Sequence, residues 1–117
     1  MFGVHFKEAF EGILKVITTQ KTFKVMLLIA LITIIAAFYF NFNQTEWLFL
    51  LITVSLVLTA EAFNTAIEVF ADYVNWKRDK SIKLIKDISA AAVMITVINS
   101  IIVGIILFIP KILIFLK

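Results

Sequence analysis

The pattern of hydrophobic and polar residues divides this 117-residue chain into three long apolar segments bordered by polar ones. Each apolar segment is long enough to cross the roughly 30 Å hydrocarbon core of a bilayer as a helix, which takes about 20 residues. Polar stretches at 18–22, 41–46 and 75–87 border these segments. The third apolar segment is predicted to end before Pro110. The pattern therefore predicts three transmembrane helices, at 23–42, 47–74 and 88–109.

The beginning of the chain has a different pattern. Residues 2–17 repeat with a helical period, with apolar side chains such as Phe6 and Phe10 on one face and charged ones such as Lys7 and Glu11 on the other. This pattern is typical of an amphipathic helix at a membrane surface, and an ordinary helix packed against the other segments is the alternative. The segment lacks the continuous apolar core of a signal peptide, so no cleaved targeting segment is expected.

The composition agrees with a membrane protein. The chain is 62% hydrophobic with a mean hydropathy of +1.06, which is too apolar for an ordinary soluble domain. Its length fits one domain, 1–117, of the all-α integral membrane class. The sequence has no cysteine and only three glycines, which excludes disulfides, cysteine-ligated metals and a GxxxxGK phosphate loop.

The basic residues predict the orientation in the membrane. They cluster in two places, and the segment between the first two predicted spans has none. By the positive-inside rule the N-terminus and the segment 75–87 are cytoplasmic, and the chain is a multi-pass membrane protein. Because the basic residues form no continuous tract, no nucleic-acid partner is expected. The two clusters are Lys7, Lys15, Lys21 and Lys24, and Lys77, Arg78, Lys80, Lys83 and Lys86.

A polar stripe ends the second apolar segment. Glu61, Asn64, Glu68 and Asp72 are spaced so that they share one face of a helix over about 16 Å. Glu61 follows Trp47 by about 21 Å of helix, near the cytoplasmic edge of the hydrocarbon, and Asp72 lies in water. Ionisable residues at such depths usually face a cavity, a partner helix or an ion. On the outside of a three-helix unit they would need a neighbouring subunit to cover them, which favours an oligomer.

The residue types in the stripe indicate phosphoryl or proton chemistry. A partly desolvated carboxylate such as Glu61 is a good proton acceptor, and Glu68, closer to water, offers oxygen to a hard cation such as Mg²⁺. Lys86 either flanks the third span as a cytoplasmic anchor or meets phosphates beside a helix N-terminus. Asp87 is predicted to cap that helix.

Four segments of the chain resemble a known family: AEAFNTAIE followed by AD at 71–72, IKDISAAAV, AFEGI, and IIVGIILFIPKI. They are similar to the small prokaryotic diacylglycerol kinase family, most closely its undecaprenol kinase branch. The resemblance implies an ATP- and Mg²⁺-dependent lipid kinase that phosphorylates the hydroxyl of undecaprenol or diacylglycerol at the cytoplasmic face. It also implies an N-terminal surface helix, three transmembrane helices, and a homotrimer with active sites between subunits.

The resemblance also implies roles for single residues. Where the family usually has a second metal-binding Glu, in a pattern like TERNFR, this chain has Gln20, which brings an amide oxygen but no charge. Magnesium binding would then be weaker or rely on another acid. The implied roles are the general base for Glu61, metal binding for Glu68 and Gln20, and contacts near the nucleotide for Asn64, Asp72, Lys86 and Asp87.

Two other hypotheses remain open from the sequence. Gln20 is compatible with a catalytically weakened family member that acts as a membrane scaffold or regulator and binds no nucleotide with magnesium. Glu61 alone is compatible with a small proton-coupled transporter, whose signature would be transport without ATP. In a transporter, Glu68, Asp72 and Lys86 would have no task.

Overall fold

Four helices make up the described part of the chain in a computed structural model, which describes residues 2–74 and 79–117, with side chains from residue 5 onward. The last three are long and apolar enough to cross a membrane, which confirms the predicted all-helical class and agrees with a membrane protein. α3 packs mainly against α4, α2 packs against α3, and α1 packs against α2. The helices are α1 (Phe2–Thr19), α2 (Lys21–Tyr39), α3 (Gln44–Val74) and α4 (Lys80–Leu116).

The turn between α2 and α3 is tighter than the predicted polar segment 41–46. Asn41 has a left-handed backbone with φ of 55°, which asparagine tolerates better than most residues. The N–H of Phe42 donates to the Ala37 carbonyl at 3.1 Å, the bond of a Schellman helix end. Four residues, 40–43, therefore suffice for the turn, and 44–46 are already helical.

A reciprocal cap starts α3 at this turn. The Asn43 side chain accepts from the N–H of Glu46, and the Glu46 carboxylate accepts from the N–H of Asn43, both at 2.9 Å. The same carboxylate pairs with Lys111 at 3.1 Å, so the start of α3 is joined to the far end of α4. A small core lies beside this pair and holds the helix ends together. It contains Ala37, Phe42, Leu50 and Leu107.

α4 begins earlier than the predicted third span. Asp79 caps it by accepting from the N–H of Ile82 at 3.0 Å, and Lys83 pairs with Asp87 one turn apart at 2.6 Å. The prediction that Asp87 caps this helix is therefore wrong, because the cap lies eight residues earlier. Of the charged segment 75–87, residues 80–87 are helical and residues 75–78 lie outside the described residues.

α4 also continues past Pro110. A proline inside a helix removes one backbone hydrogen bond. Contacts made after the proline hold the helix in place, because Lys111 pairs with Glu46 and the ring of Phe115 packs on Tyr39 at 5.8 Å. The helix therefore extends beyond the predicted third span, 88–109.

Many large apolar side chains on α2, α3 and α4 remain exposed in the single chain, among them Ile35, Phe38, Phe63, Ile95 and Ile106. Such continuous apolar surface is stable only against lipid or against other protein chains. The four helices thus form an open layer of helices, in which the seam between α3 and α4 is the main internal contact.

Candidate active site

The polar stripe of α3 lies along its seam with α4. Glu61 is 6% exposed and Asn64 is 8% exposed, although both carry strongly polar side chains. Asn64 and Asp72 each bind a side chain of α4. The sequence argument that a neighbouring subunit must cover the stripe is therefore wrong for Glu61 and Asn64, since they are buried within one chain.

A chain of hydrogen bonds crosses the seam at its middle. The hydroxyl of Ser89, on α4, donates to Asn64 Oδ1 at 2.7 Å, and Asn64 Nδ2 donates to Glu68 Oε1 at 3.1 Å. Ser89 is itself only 6% exposed, whereas Glu68 is half-buried. The Glu68 carboxylate is therefore held by a buried neutral pair on one side and reaches solvent on the other.

Two ion pairs lie at the open end of the seam. Lys86 reaches from α4 to Asp72 on α3, and their side chains are 37% and 60% exposed. Asp87 instead pairs with Lys83 on its own helix. The structure thus brings Lys86 to the polar stripe, and no hydrogen bond or ion pair among the described residues joins Asp87 to it.

Glu61 forms the closed, buried end of the polar stripe, and the α3–α4 seam continues beyond it to Glu46 and Lys111. No hydrogen bond or ion pair reaches its carboxylate in the described ranges 2–74 and 79–117. Its oxygens still touch the surface, because no fully buried side-chain oxygen in these ranges lacks a partner. A buried carboxylate with free acceptor capacity is suited to accept a proton from a hydroxyl placed beside it.

The donor atoms around Glu68 fit a magnesium ion. Within the described residues, Oε2 of Glu68 accepts no hydrogen bond, so it is available as a hard oxygen ligand. The same part of the chain brings together no group of three acidic or histidine residues that could enclose a metal. A site with a single protein carboxylate is compatible with Mg²⁺. This ion commonly binds one or two carboxylates and completes its coordination shell with phosphate oxygens and water.

Gln20, the other predicted metal ligand, lies at the junction of α1 and α2. It is the N-cap residue of α2, with an extended backbone, and its side chain makes no capping hydrogen bond. It lines a mostly apolar groove of about 1100 Å³ between α1, α2 and α3, which also contains Ala62 and Ala66 of α3. No hydrogen bond joins Gln20 to Glu68 in the described chain. Gln20 therefore borders this groove, whereas Glu68 is not among the residues that line it.

Sequence reasoning missed Ser89 as part of the site. Ser89 begins a run of small residues, 89–92, of the kind that lets another helix approach. One signal was present: Ser89 is one helical turn after Lys86 and so shares its face of α4. The partner across the seam is 25 residues away in sequence, however, and only the helix crossing reveals it.

Comparison with known proteins decides the family. The sequence model of the family described as prokaryotic diacylglycerol kinase matches residues 7–108, which include both sides of the seam. The chain belongs to the prokaryotic diacylglycerol kinase family. The resemblance of the four sequence segments is thereby confirmed, and the protein is a lipid kinase of a bacterial membrane.

Two relatives in this family have names that specify an acceptor. An undecaprenol kinase from Bacillus subtilis (strain 168) is 29% identical over 110 residues, which are 94% of this chain and 89% of the relative. A diacylglycerol kinase from Synechocystis sp. is 31% identical over 111 residues, which are 94% of this chain but 63% of that relative. Members similar to this chain therefore act on two different lipid alcohols.

Proposed function

We propose that this protein transfers the γ-phosphate of ATP, with Mg²⁺, to the hydroxyl of undecaprenol or diacylglycerol at the cytoplasmic face of the bacterial inner membrane. The observation that carries the proposal is the graded exposure along the α3–α4 seam. Buried Glu61, half-buried Glu68 and exposed Asp72 follow one another on the stripe. The closed end suits a lipid hydroxyl and the open end suits a water-soluble nucleotide.

The proposed reaction is an in-line transfer of phosphate. Glu61 accepts the proton of the lipid hydroxyl while the hydroxyl oxygen bonds to the γ-phosphorus. The bond from the γ-phosphorus to the β–γ bridging oxygen breaks, and its electron pair leaves with ADP. Most catalysis of such transfers comes from positioning and charge neutralisation, so a site without a glycine-rich loop is chemically sufficient.

The other site residues would hold the nucleotide and its metal. Glu68 would bind Mg²⁺, which supplies neutralisation of phosphate charge when bound. Lys86 would release its ion pair with Asp72 and bind the phosphates of ATP instead. Asn64, Asp72 and Asp87 would line the part of the site that holds the nucleotide. The exchange at Lys86 costs little, because exposed ion pairs contribute only about 0–1 kcal/mol.

The apolar groove offers a place for the hydrocarbon of the acceptor. Ala62 lines the groove and directly follows Glu61 along α3. An acceptor chain in the groove would lie beside the same turn of α3 as the proposed base, and its hydroxyl would reach round the helix to Glu61. α1 forms the opposite wall, consistent with the predicted amphipathic helix at the membrane surface.

A homotrimer with shared active sites is part of the proposal. Its support is the large exposed apolar surface of the single chain, in which Gln20 lines a groove that does not include Glu68. Gln20 of one subunit would then approach Glu68 of another. The N-terminus of each subunit would be cytoplasmic, as the basic residues predict.

The direct test uses purified protein in vesicles with labelled ATP and either undecaprenol or diacylglycerol. We expect label to move to one of these lipids only when Mg²⁺ is present, with the preferred lipid identified by comparison of kcat/KM. Absence of transfer to any lipid alcohol would reject the proposal. Magnesium-independent lipid binding without transfer would favour the scaffold, and solute uptake without ATP would favour the transporter.

Replacement of Gln20 with Glu is expected to lower the Mg²⁺ concentration for half-maximal rate several-fold. The change adds a second carboxylate to the proposed magnesium site, which otherwise has only that of Glu68. The rate at saturating Mg²⁺ should change less than twofold. The measurement is a magnesium titration of phosphate transfer. The matched control is Gln44→Glu, which adds the same charge at the exposed start of α3, at its opposite end. If both variants respond alike, or neither does, Gln20 is not near the metal.

A further inference from the structure

We infer that Ser89 is a positioning residue for the metal-binding carboxylate, acting through Asn64. The inference rests on the proposed function, since it concerns the magnesium site of the proposed kinase. Its basis is the hydrogen-bond chain from α4 to α3, in which Ser89 donates to Asn64 at 2.7 Å and Asn64 donates to Glu68 at 3.1 Å.

The direction of this hydrogen-bond chain follows from its charged end. An ionised carboxylate only accepts hydrogen bonds, so Asn64 must turn its amide NH₂ toward Glu68. The amide oxygen then points to Ser89, where only a donor can satisfy it. The hydroxyl of Ser89 is that donor, and it therefore determines which way round the buried amide lies.

The orientation of the amide in turn selects the oxygen of Glu68 that faces the metal. Asn64 occupies Oε1, and Oε2 accepts no hydrogen bond from the described residues. Partners that hydrogen-bond to a metal ligand fix its orientation, and their loss typically costs 10–100-fold in metal affinity or activity. With a neutral Gln20 in place of a second acid, the preorganisation of this one carboxylate matters more.

The burial of both neutral residues supports a positioning role. Ser89 is 6% exposed and Asn64 is 8% exposed, so water cannot readily replace the hydroxyl as the donor. Ser100, also on α4, has a different hydrogen-bond partner, because its hydroxyl donates to the Val97 carbonyl of its own helix at 2.7 Å. Ser100 therefore provides a matched control for the loss of one hydroxyl.

The experiment measures metal binding separately from catalysis. Full-length wild type, Ser89→Ala and Ser100→Ala are purified in nanodiscs, and Mn²⁺ binding is followed by the loss of its free electron paramagnetic resonance signal. Magnesium titrations of lipid phosphorylation run in parallel. We expect Ser89→Ala to raise the Mn²⁺ dissociation constant and the half-maximal Mg²⁺ concentration about tenfold. Its kcat at saturating Mg²⁺ should stay within twofold, and Ser100→Ala should match wild type.

A double variant separates positioning from general damage. If Ser89 acts only through the amide, Ser89→Ala should weaken Mn²⁺ binding no further in an Asn64→Ala background. Additive losses would overturn the inference, as would a fall in kcat with unchanged Mn²⁺ affinity. If the wild type transfers phosphate and binds Mn²⁺, but Ser89→Ala and Ser100→Ala have the same Mn²⁺ dissociation constant, this inference is overturned and the proposed function stands. A wild type without either activity overturns the proposed function together with it.

Discussion

Replacement of Glu61 with Gln is expected to lower kcat for lipid phosphorylation by roughly 10²–10⁴-fold, the usual contribution of a positioned general base. Glutamine has nearly the same shape but cannot accept the hydroxyl proton. Because the Glu61 carboxylate makes no hydrogen bond or ion pair within 2–74 and 79–117, the change breaks no network in the described protein. The fold and ATP binding should therefore survive while the chemical step fails.

Two measurements distinguish this result from a loss of folding. Transfer of labelled phosphate gives kcat, and a titration with ATP in the presence of Mg²⁺ gives the dissociation constant, which should stay within about threefold of wild type. Glu11→Gln, on an exposed face of α1, removes the same charge away from the seam and should leave both values unchanged. A Glu61→Gln variant with near wild-type kcat would exclude Glu61 as the base.

Replacement of Lys86 with Met is expected to lower kcat/KM for ATP by roughly 10–100-fold. A hydrogen bond to a charged group contributes about 1.5–3 kcal/mol, which corresponds to this range. Methionine keeps the length of the side chain but not its charge. In the free protein the variant loses only its exposed pair with Asp72, so its stability should fall by no more than about 1 kcal/mol.

The matched control for this variant is Lys80→Met. Lys80 is the first residue of α4, about two turns before Lys86, and it is exposed. It forms no ion pair in the part of the chain that the structure describes. Its kcat/KM for ATP should change less than twofold. Equal losses in both variants would mean that Lys86 contributes only general positive charge to the membrane surface.

If the proposed magnesium site is right, the outcome at Ser89 would show how a neutral residue at position 20 is compensated. A single carboxylate that is rigidly oriented can bind a cation as well as two that are mobile, because less ordering is needed on binding. The Gln20→Glu variant adds a second carboxylate and should strengthen magnesium binding, whereas Ser89→Ala loosens the existing carboxylate and should weaken it. Combined in one chain, they are expected to restore a magnesium requirement close to that of wild type.

Several features of this protein could be predicted from the sequence because they depend on local periodicity. The apolar segments predicted three spanning helices, and the spacing of Glu61, Asn64 and Glu68 predicted a shared face. Each follows from the fixed rise and rotation of a helix, which need no knowledge of its neighbours. The cap of α4 at Asp79 was predicted wrongly, and α4 extends beyond the predicted span at Pro110, because capping and distant contacts, such as the pair of Lys111 with Glu46, decide where a helix begins and ends.

The sequence by itself determined the class of the protein, the number of its apolar helices and the polar face of the second. Only the tertiary structure decided what that face meets. The crossing of α3 and α4 pairs Asp72 with Lys86, 14 residues away, and Asn64 with Ser89, 25 residues away. It also leaves Asp87 paired with Lys83 and Gln20 beside the groove. The physical reason is that helix periodicity fixes which residues share a face, whereas packing between helices fixes which faces meet.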